Sequence, residues 1–262
     1  MPKSQLIRAM ILDMDGVLWK DRESIGHLPS IFARLEEKNI QVILATNNAT
    51  RTPEQYAEKL AGFGVELDPW RVINSAAATA FRLKKDFPQG GPVFVIGEVG
   101  LVKALSSQGF TIVGADADPI AVVAGLDRQI TYDKLKMGTR LIRSGLPFYG
   151  TNPDRTFPTP DGLIPGAGSI LAALEAATDV RPIIAGKPSP DMYFMALDLL
   201  KLPAQETVAV GDRLDTDILG GQRAGCRTGL VLSGVTTRDD LQIWEPKPDF
   251  VANDLAELVD MI

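Results

Sequence analysis

Reactive and polar residues follow four apolar segments of this sequence, at the point where each segment ends. They are Asp13 and Asp15 after IRAMIL, Thr46 at the end of IQVILAT, Lys187 after PIIAG, and Asp212 after TVAVG. Carboxylates can act as nucleophiles, proton donors or metal ligands, while hydroxyl and ammonium groups can hold an anion. If the four segments are neighbouring strands, these residues form one site.

The elements before these residues have a regular pattern. Short apolar runs alternate with longer amphipathic ones, which is typical of a parallel sheet covered by helices on both faces. Ligands of such open sheets bind beyond the carboxyl ends of the strands. The sequence therefore predicts an α/β fold with a Rossmann-like, doubly wound parallel sheet, and the four strand ends should converge on one crevice.

A second series of strand and helix patterns interrupts the first. It begins after the Pro- and Gly-rich segment PQGGP, and it ends with the polar, Pro-rich segment TNPDRTFPTPDGLIPG and a helix of small residues. The first pattern then resumes at PIIAG. We predict a core domain over residues 1–85 and 180–262 that is divided by an inserted α/β cap domain over residues 86–179.

Charge and composition narrow the class of partner. The net charge is −6, from 27 basic and 33 acidic residues, and no Lys/Arg cluster dominates a face, which argues against a nucleic-acid partner. No apolar stretch approaches the roughly 18 residues of a membrane span. We expect a cytoplasmic protein without a membrane partner. The single cysteine, Cys226, excludes an intramolecular disulfide, and a buried thiol is favoured over a reactive one.

The acidic residues predict a metal site. Acidic groups that lie close together repel one another unless a cation lies among them, and an oxygen ligand set without His or Cys suits Mg²⁺. His27 is the only histidine and cannot build a zinc site. Magnesium is therefore the expected cofactor.

Four segments carry a family resemblance. DMDGVL, the Thr46 of IQVILAT, the Lys187 of GKPSP, and GDRLDTDI resemble, in family order, the four motifs of the haloacid dehalogenase-like (HAD) hydrolases. Their spacing resembles the branch with a C2-type cap. TNNAT, TNPD, GAGSILAAL and GKPSPDMY are similar to the NagD or 4-nitrophenylphosphatase group. The resemblance spans essentially the whole chain and implies a HAD-like fold with a magnesium-dependent phosphatase activity.

Each motif residue then has an expected role. Asp13 is the expected nucleophile, which attacks phosphorus and forms an aspartyl-phosphate, and Asp15 is the expected general acid and base. Gly16 permits the sharp turn after them. The Thr46 hydroxyl and the backbone N–H of Asn47 are expected to donate to the phosphoryl oxygens.

The remaining motif residues are cationic or metal-binding. Lys187 is expected to contact both the phosphoryl group and Asp13. Asp212 is the expected magnesium ligand beside Asp13, and the resemblance adds the backbone carbonyl of Asp15. Asp217 is expected to orient the site or to bind the metal through water, and Asp215 to be solvated.

The substrate is expected to be small. A domain inserted between the Thr46 and Lys187 segments is well placed to act as a lid, and in C2-capped relatives the cap lines the leaving-group pocket. A sugar phosphate, phosphoglycolate, a nucleotide or 4-nitrophenyl phosphate would fit, and a homodimer through the cap is left open. Asn152 and Asp154 are candidates for substrate contact or hinge support, against a loop that uses them only for turns.

Two other functions stay open at this point. A phospho-receiver signalling module also gathers acids, Thr and Lys around Mg²⁺, but it places its phosphorylated Asp on a later strand. A catalytically idle metal-binding protein on the same fold is the other alternative. A dehalogenase would lack the second acid, Asp15, and a P-type pump would need membrane spans.

Overall fold

The computed structural model describes residues 6–159 and 161–262, which form two compact units. Unit 1 contains the described residues up to Thr46 together with Pro53–Ile73 and Pro188–Ile262. Unit 2 contains Asn47–Thr52 and Asn74–Lys187. The range 86–179, predicted for the cap domain, lies inside unit 2.

Strands and helices alternate along most of the chain. The strands are β1 (Ala9–Leu12), β2 (Trp19–Lys20), β3 (Glu23–Ser24), β4 (Gln41–Thr46), β5 (Val72–Asn74), β6 (Gly91–Ile96), β7 (Phe110–Ile112), β8 (Ala121–Ala124), β9 (Phe148–Gly150), β10 (Thr156–Thr159), β11 (Gly162–Pro165), β12 (Ile183–Ile184), β13 (Thr207–Gly211), β14 (Arg227–Val231) and β15 (Phe250–Ala252). The α-helices are α1 (Leu28–Glu37), α2 (Pro53–Ala61), α3 (Ser75–Asp86), α4 (Val99–Ser107), α5 (Tyr132–Arg143), α6 (Ala167–Thr178), α7 (Asp191–Leu200), α8 (Leu219–Arg223), α9 (Arg238–Ile243) and α10 (Leu255–Asp260). Short 3₁₀ turns cover Pro69–Arg71 and Ala204–Glu206, and a π-helical turn covers Leu214–Ile218.

Unit 1 is built on one sheet with the strand order β15-β14-β13-β1-β4-β5. β1 pairs in parallel with β13 and β4, and Leu12 lies level with Val210 and Leu44. All four residues of β1 are buried, as expected of a central parallel strand. Asp13 therefore emerges at the carboxyl edge of the sheet, between the ends of β13 and β4.

Helices cover the sheet of unit 1. Leu28 and Ile31 of α1 and Leu255 and Leu258 of α10 share one hydrophobic cluster with Met10 of β1. α7 contacts β1 and β4. α1 begins at Leu28, because the His27 ring accepts a hydrogen bond from the Ser30 N–H and Pro29 occupies the first turn.

Unit 2 has its own parallel sheet, with the order β12-β9-β8-β6-β7. Successive residues of β8 point to opposite faces. Val123 clusters with residues of α3 and α4, while Val122 clusters with residues of α5 and α6. The period of two along a buried strand thus places two helices on each face. The predicted α/β class with parallel sheets is confirmed.

Two hairpins were not predicted. The Pro-rich segment contains β10 and β11, which pair antiparallel with Thr156 opposite Pro165. β2 and β3 pair just after Asp15, with Trp19 opposite Ser24. Both hairpins have strands of two to four residues, too short for an alternating pattern to be visible. A helix with the length and apolarity of a membrane span is not found among residues 6–159 and 161–262.

Candidate active site

The turn after β1 exposes Asp15 and leaves Asp13 half-buried. The Asp13 N–H donates to the Val210 carbonyl at 2.8 Å and so continues the pairing of β1 with β13. Gly16 then adopts a φ of +86°, and its N–H donates to the Trp19 carbonyl at 2.8 Å. A Cβ at Gly16 would lie 2.5 Å from Oδ2 of Asp212. Glycine is therefore required here by both conformation and space, as predicted for the turn.

Three carboxylates meet beyond β1 and β13. Asp13, Asp212 and Asp217 each place one oxygen so that the three atoms lie within 4.8 Å of one another. Asp212 and Asp217 are buried, with 2% and 3% of their surface exposed. Two carboxylates at this separation repel by about 3 kcal/mol or more in a partly buried site. The all-oxygen set fits a hard divalent cation, which would remove that repulsion.

The loop after β14 encloses Asp212. The Val235 N–H donates to Oδ2 of Asp212 at 2.7 Å, and the Thr236 N–H donates to its carbonyl at 3.1 Å. A Cβ at Gly234 would overlap the Asp212 carboxylate. The Ser233 hydroxyl donates to the carbonyl of Gly16 at 2.6 Å and ties this loop to the first turn. This loop was not predicted from the sequence, although the glycine in SGVT after a buried strand was a signal for it.

Asp217 lies in the π-helical turn Leu214–Ile218. The Arg213 N–H donates to Oδ2 of Asp217 at 3.1 Å, and the Tyr193 hydroxyl donates to its carbonyl at 2.9 Å. A Cβ at Gly211 would overlap the Asp217 side chain. These contacts fix the carboxylate beside Asp13 and Asp212. Single π-helical turns are frequent at functional sites.

Asp15 has a partner that the sequence analysis did not identify. The indole N–H of Trp19 donates to Oδ1 of Asp15 at 2.9 Å. Trp19 itself is fully buried. The signal was the position of Trp19, four residues after Asp15 in DGVLW, in a turn closed by Gly16.

Asn47 and Lys187 belong to unit 2, while Thr46 ends β4 in unit 1. The Asn47 side chain forms two hydrogen bonds with the backbone of Lys187. Its Nδ2 donates to the Lys187 carbonyl at 3.0 Å, and its Oδ1 accepts from the Lys187 N–H at 2.8 Å. Lys187 and Thr46 are both buried. From the sequence, only the backbone N–H of Asn47 was expected to have a role in the site. That Lys187 and Asn47 approach the three carboxylates stays a prediction.

Asn152 joins the same network in unit 2. Its Nδ2 donates to the Asn47 carbonyl at 2.9 Å, and the Ser75 hydroxyl donates to that carbonyl at 2.6 Å. The Oδ1 of Asn152 accepts a hydrogen bond from the Asp154 N–H at 3.2 Å, and this bond closes a turn. Asn152 thus shapes its own loop and also supports the segment that begins at Asn47.

The other residues singled out from the sequence have simple environments. Burial raises the pKa of the Cys226 thiol to about 12, so the thiol is protonated at neutral pH, as favoured above. Asp215 is exposed and pairs with Arg213, with Nη2 and Oδ2 3.2 Å apart.

The chain is similar to known proteins over almost its full length. The haloacid dehalogenase-like hydrolase family matches residues 10–111, and the related HAD-hydrolase-like family matches residues 184–258. A dihydroxyacetone phosphatase of Corynebacterium glutamicum is 37% identical over 250 residues, which are 95% of this chain and 90% of the relative.

The chain is also similar to phosphatases whose structures have been solved. A p-nitrophenyl phosphatase from Archaeoglobus fulgidus is 36% identical with a TM-score of 0.89, over 98% of this chain and all of the other. NagD from Escherichia coli K-12 is 33% identical with a TM-score of 0.89, over 96% and 98% of the two chains. A glycerol phosphate phosphatase from Mycobacterium tuberculosis, solved in complex with magnesium, is 32% identical with a TM-score of 0.88, over 97% and 77%.

The fold, the motif residues and these matches together define the class: the chain belongs to the haloacid dehalogenase-like hydrolases. Within that family it is a phosphatase of the NagD-like and 4-nitrophenylphosphatase group.

Proposed function

We propose that this phosphatase hydrolyses small phosphomonoesters in two displacements, with Asp13 as the nucleophile and Mg²⁺ as the cofactor. The observation that carries the proposal is the gathering of Asp13, Asp212 and Asp217 within 4.8 Å at the carboxyl ends of β1 and β13. Asp13 is the member of this group that is only half-buried, so it can be reached by a substrate.

The first displacement forms the intermediate. A carboxylate oxygen of Asp13 attacks phosphorus, the bond to the ester oxygen breaks, and Asp15 gives its proton to that oxygen as it leaves. In the second displacement Asp15 takes a proton from water, whose oxygen attacks phosphorus and releases Asp13 and inorganic phosphate. Splitting hydrolysis in this way replaces one difficult step by two easier ones.

The phosphoryl oxygens need donors while charge builds on them. We assign the Thr46 hydroxyl, the Asn47 N–H and the Lys187 ammonium to this task. The two hydrogen bonds between the Asn47 side chain and the Lys187 backbone support the assignment, because they hold the two residues that carry these donors next to each other.

Magnesium is the cation that the ligand set favours. We assign Asp13, Asp212 and the backbone carbonyl of Asp15 as its ligands, with Asp217 orienting the site through its bond to the Arg213 N–H. When bound there, Mg²⁺ neutralises charge on the transferring phosphoryl group. The magnesium in the related glycerol phosphate phosphatase supports this choice.

The names of the relatives support one class of substrate. The relatives named for dihydroxyacetone and glycerol phosphate support a short polyol or keto phosphate as the natural substrate. We assign residues 86–179 as a cap that closes over it. A cytoplasmic location is part of the proposal, and so is the absence of a nucleic-acid partner, which rests on the net charge of −6.

A phosphate-release assay tests the proposal. Purified protein is incubated with Mg²⁺ and a panel of glycerol phosphate, dihydroxyacetone phosphate, sugar phosphates, phosphoglycolate, a nucleoside monophosphate and 4-nitrophenyl phosphate. We expect turnover that EDTA abolishes and added Mg²⁺ restores, with short polyol or keto phosphates preferred. No release from any ester, or release that EDTA leaves unchanged, would overturn the function or the cofactor respectively.

A further inference from the structure

Asp15 is held by the side chain of Trp19, which directly follows the segment DMDGVL. The Trp19 indole N–H donates to Oδ1 of Asp15 at 2.9 Å, and the two residues also form a backbone bridge. Asp15 is exposed whereas Trp19 is fully buried, so the contact joins a solvent-facing carboxylate to the interior.

The indole is itself fixed on its other sides. The Phe63 ring stacks on Trp19 with the ring centroids 5.8 Å apart and the planes at 24°. The Lys59 ammonium lies 4.1 Å from the centroid of the indole. Both partners lie in or just after α2, in the same unit as Asp15. The direction of the N–H is therefore set by packing, and the carboxylate must conform to it.

The chemistry of indole gives this contact a consequence. An indole nitrogen can donate a hydrogen bond but cannot accept one, so Oδ1 of Asp15 is the acceptor in both protonation states. When Asp15 carries a proton, Oδ2 is its favoured position, because a carbonyl oxygen accepts a hydrogen bond better than the hydroxyl oxygen of a carboxylic acid does.

We propose that Trp19 is a positioning residue that makes Oδ2 of Asp15 the single oxygen through which protons pass. The inference rests on the proposed function. As the phosphorus–oxygen bond breaks, the proton on Oδ2 moves to the leaving oxygen, and Asp15 becomes a carboxylate. Oδ2 then takes a proton from the attacking water, and Oδ1 stays bonded to the indole throughout.

The test compares leaving groups. An alkoxide such as that of glycerol phosphate must be protonated as it leaves, whereas 4-nitrophenolate leaves without much help. In Trp19→Phe we expect kcat/KM, which reports the first displacement, to fall about tenfold or more for glycerol phosphate but less than about threefold for 4-nitrophenyl phosphate. An equal fall for both esters, or no fall, would show that Trp19 only supports the fold.

Two control variants separate the donor from the packing. Trp70→Phe removes another indole N–H that contacts a carboxylate, Asp68, at 3.3 Å on the exposed surface, and it should leave both rates unchanged. Phe63→Leu loosens the packing on the indole but keeps the Trp19 N–H, so it should lower the melting temperature and change the ratio of the two rates less than Trp19→Phe does. A changed ratio in Trp70→Phe, or a change in Phe63→Leu as large as that in Trp19→Phe, would overturn the inference.

A spectroscopic measurement covers the case in which Trp19→Phe does not fold. The protein has three tryptophans, so its ¹H–¹⁵N spectrum should contain three indole signals. In Asp15→Ala the Trp19 signal should shift and the other two should not. An unmoved Trp19 signal overturns the inference. Wild-type protein that hydrolyses none of the esters overturns the proposed function instead.

Discussion

Both units carry a parallel sheet with acidic residues just beyond the carboxyl ends of its strands, and the surroundings of those residues differ. In unit 2, Glu98 follows β6 and receives two bonds from the Arg128 guanidinium, at 2.6 and 2.8 Å. Asp127 follows β8, is buried, and pairs with Lys134 at 2.7 Å.

In unit 1 the acidic residues approach one another. Asp13, Asp212 and Asp217 lie within 4.8 Å, and backbone N–H groups hold the two buried ones in place. Both sheets have acidic residues at their carboxyl edge, but only the arrangement in unit 1 would be stabilised by an added cation. The identity of the neighbouring side chains, more than the sheet, therefore distinguishes a candidate active site from a structural one.

The largest expected effect is at the nucleophile. Asp13→Asn should lower kcat more than about 10³-fold, because an amide oxygen cannot form the phosphoryl intermediate. Steady-state phosphate release measures the fall in kcat. Asp215→Asn, which changes an exposed residue of the neighbouring motif, should keep wild-type turnover. Retention of more than a few per cent of activity in Asp13→Asn would exclude its role as the nucleophile.

The next effect concerns the space around Asp212. Gly234 does not have a left-handed φ, but a Cβ there would overlap the Asp212 carboxylate. Gly234→Ala should displace that carboxylate and lower kcat/KM about 10²-fold. It should also weaken the rise in melting temperature that Mg²⁺ gives the wild-type protein.

Gly114→Ala is the matched control, since a Cβ there meets no atom within 4 Å. It should leave both measurements unchanged. If Gly234→Ala behaves like this control, the loop after β14 does not constrain the metal site.

The smallest effect is expected in unit 2. The hydrogen bond from Arg128 lowers the pKa of Glu98 in the folded protein below its pKa in the unfolded chain. The pair therefore stabilises the protein at pH values above the unfolded-state pKa, and this contribution is lost as the pH falls through the folded-state pKa. Glu98→Gln should therefore lower the free energy of unfolding at pH 7 by less than about 1 kcal/mol. Urea titrations at pH 7 and pH 3 measure the difference, which should be smaller at pH 3.

Glu175→Gln is the control for this pair. Glu175 and Arg181 are 3.4 Å apart with side chains 42% and 91% exposed, so its loss should have no measurable effect. A larger loss in Glu98→Gln at pH 3 than at pH 7 would contradict the expected sign.

Much of the site could be predicted because its residues lie at the ends of buried strands. The apolar runs before Asp13 and Asp212 identified β1 and β13, and the parallel pairing of these strands brings the two carboxylates together. The class of fold and the family followed from the same segments. The hairpins after Asp15 and after Arg155 were missed, because such short strands carry no periodic signal.

The sequence by itself determined the alternation of strands and helices and the positions of the reactive groups along the chain, since both depend on local patterns. Only the tertiary structure decided the partners of those groups. The Trp19 indole on Asp15, the loop with Gly234 around Asp212, and the Asn47 amide on the Lys187 backbone all depend on side-chain direction and close approach. Two of the three join residues far apart in the chain, and a single sequence does not show which residues such a pairing brings together.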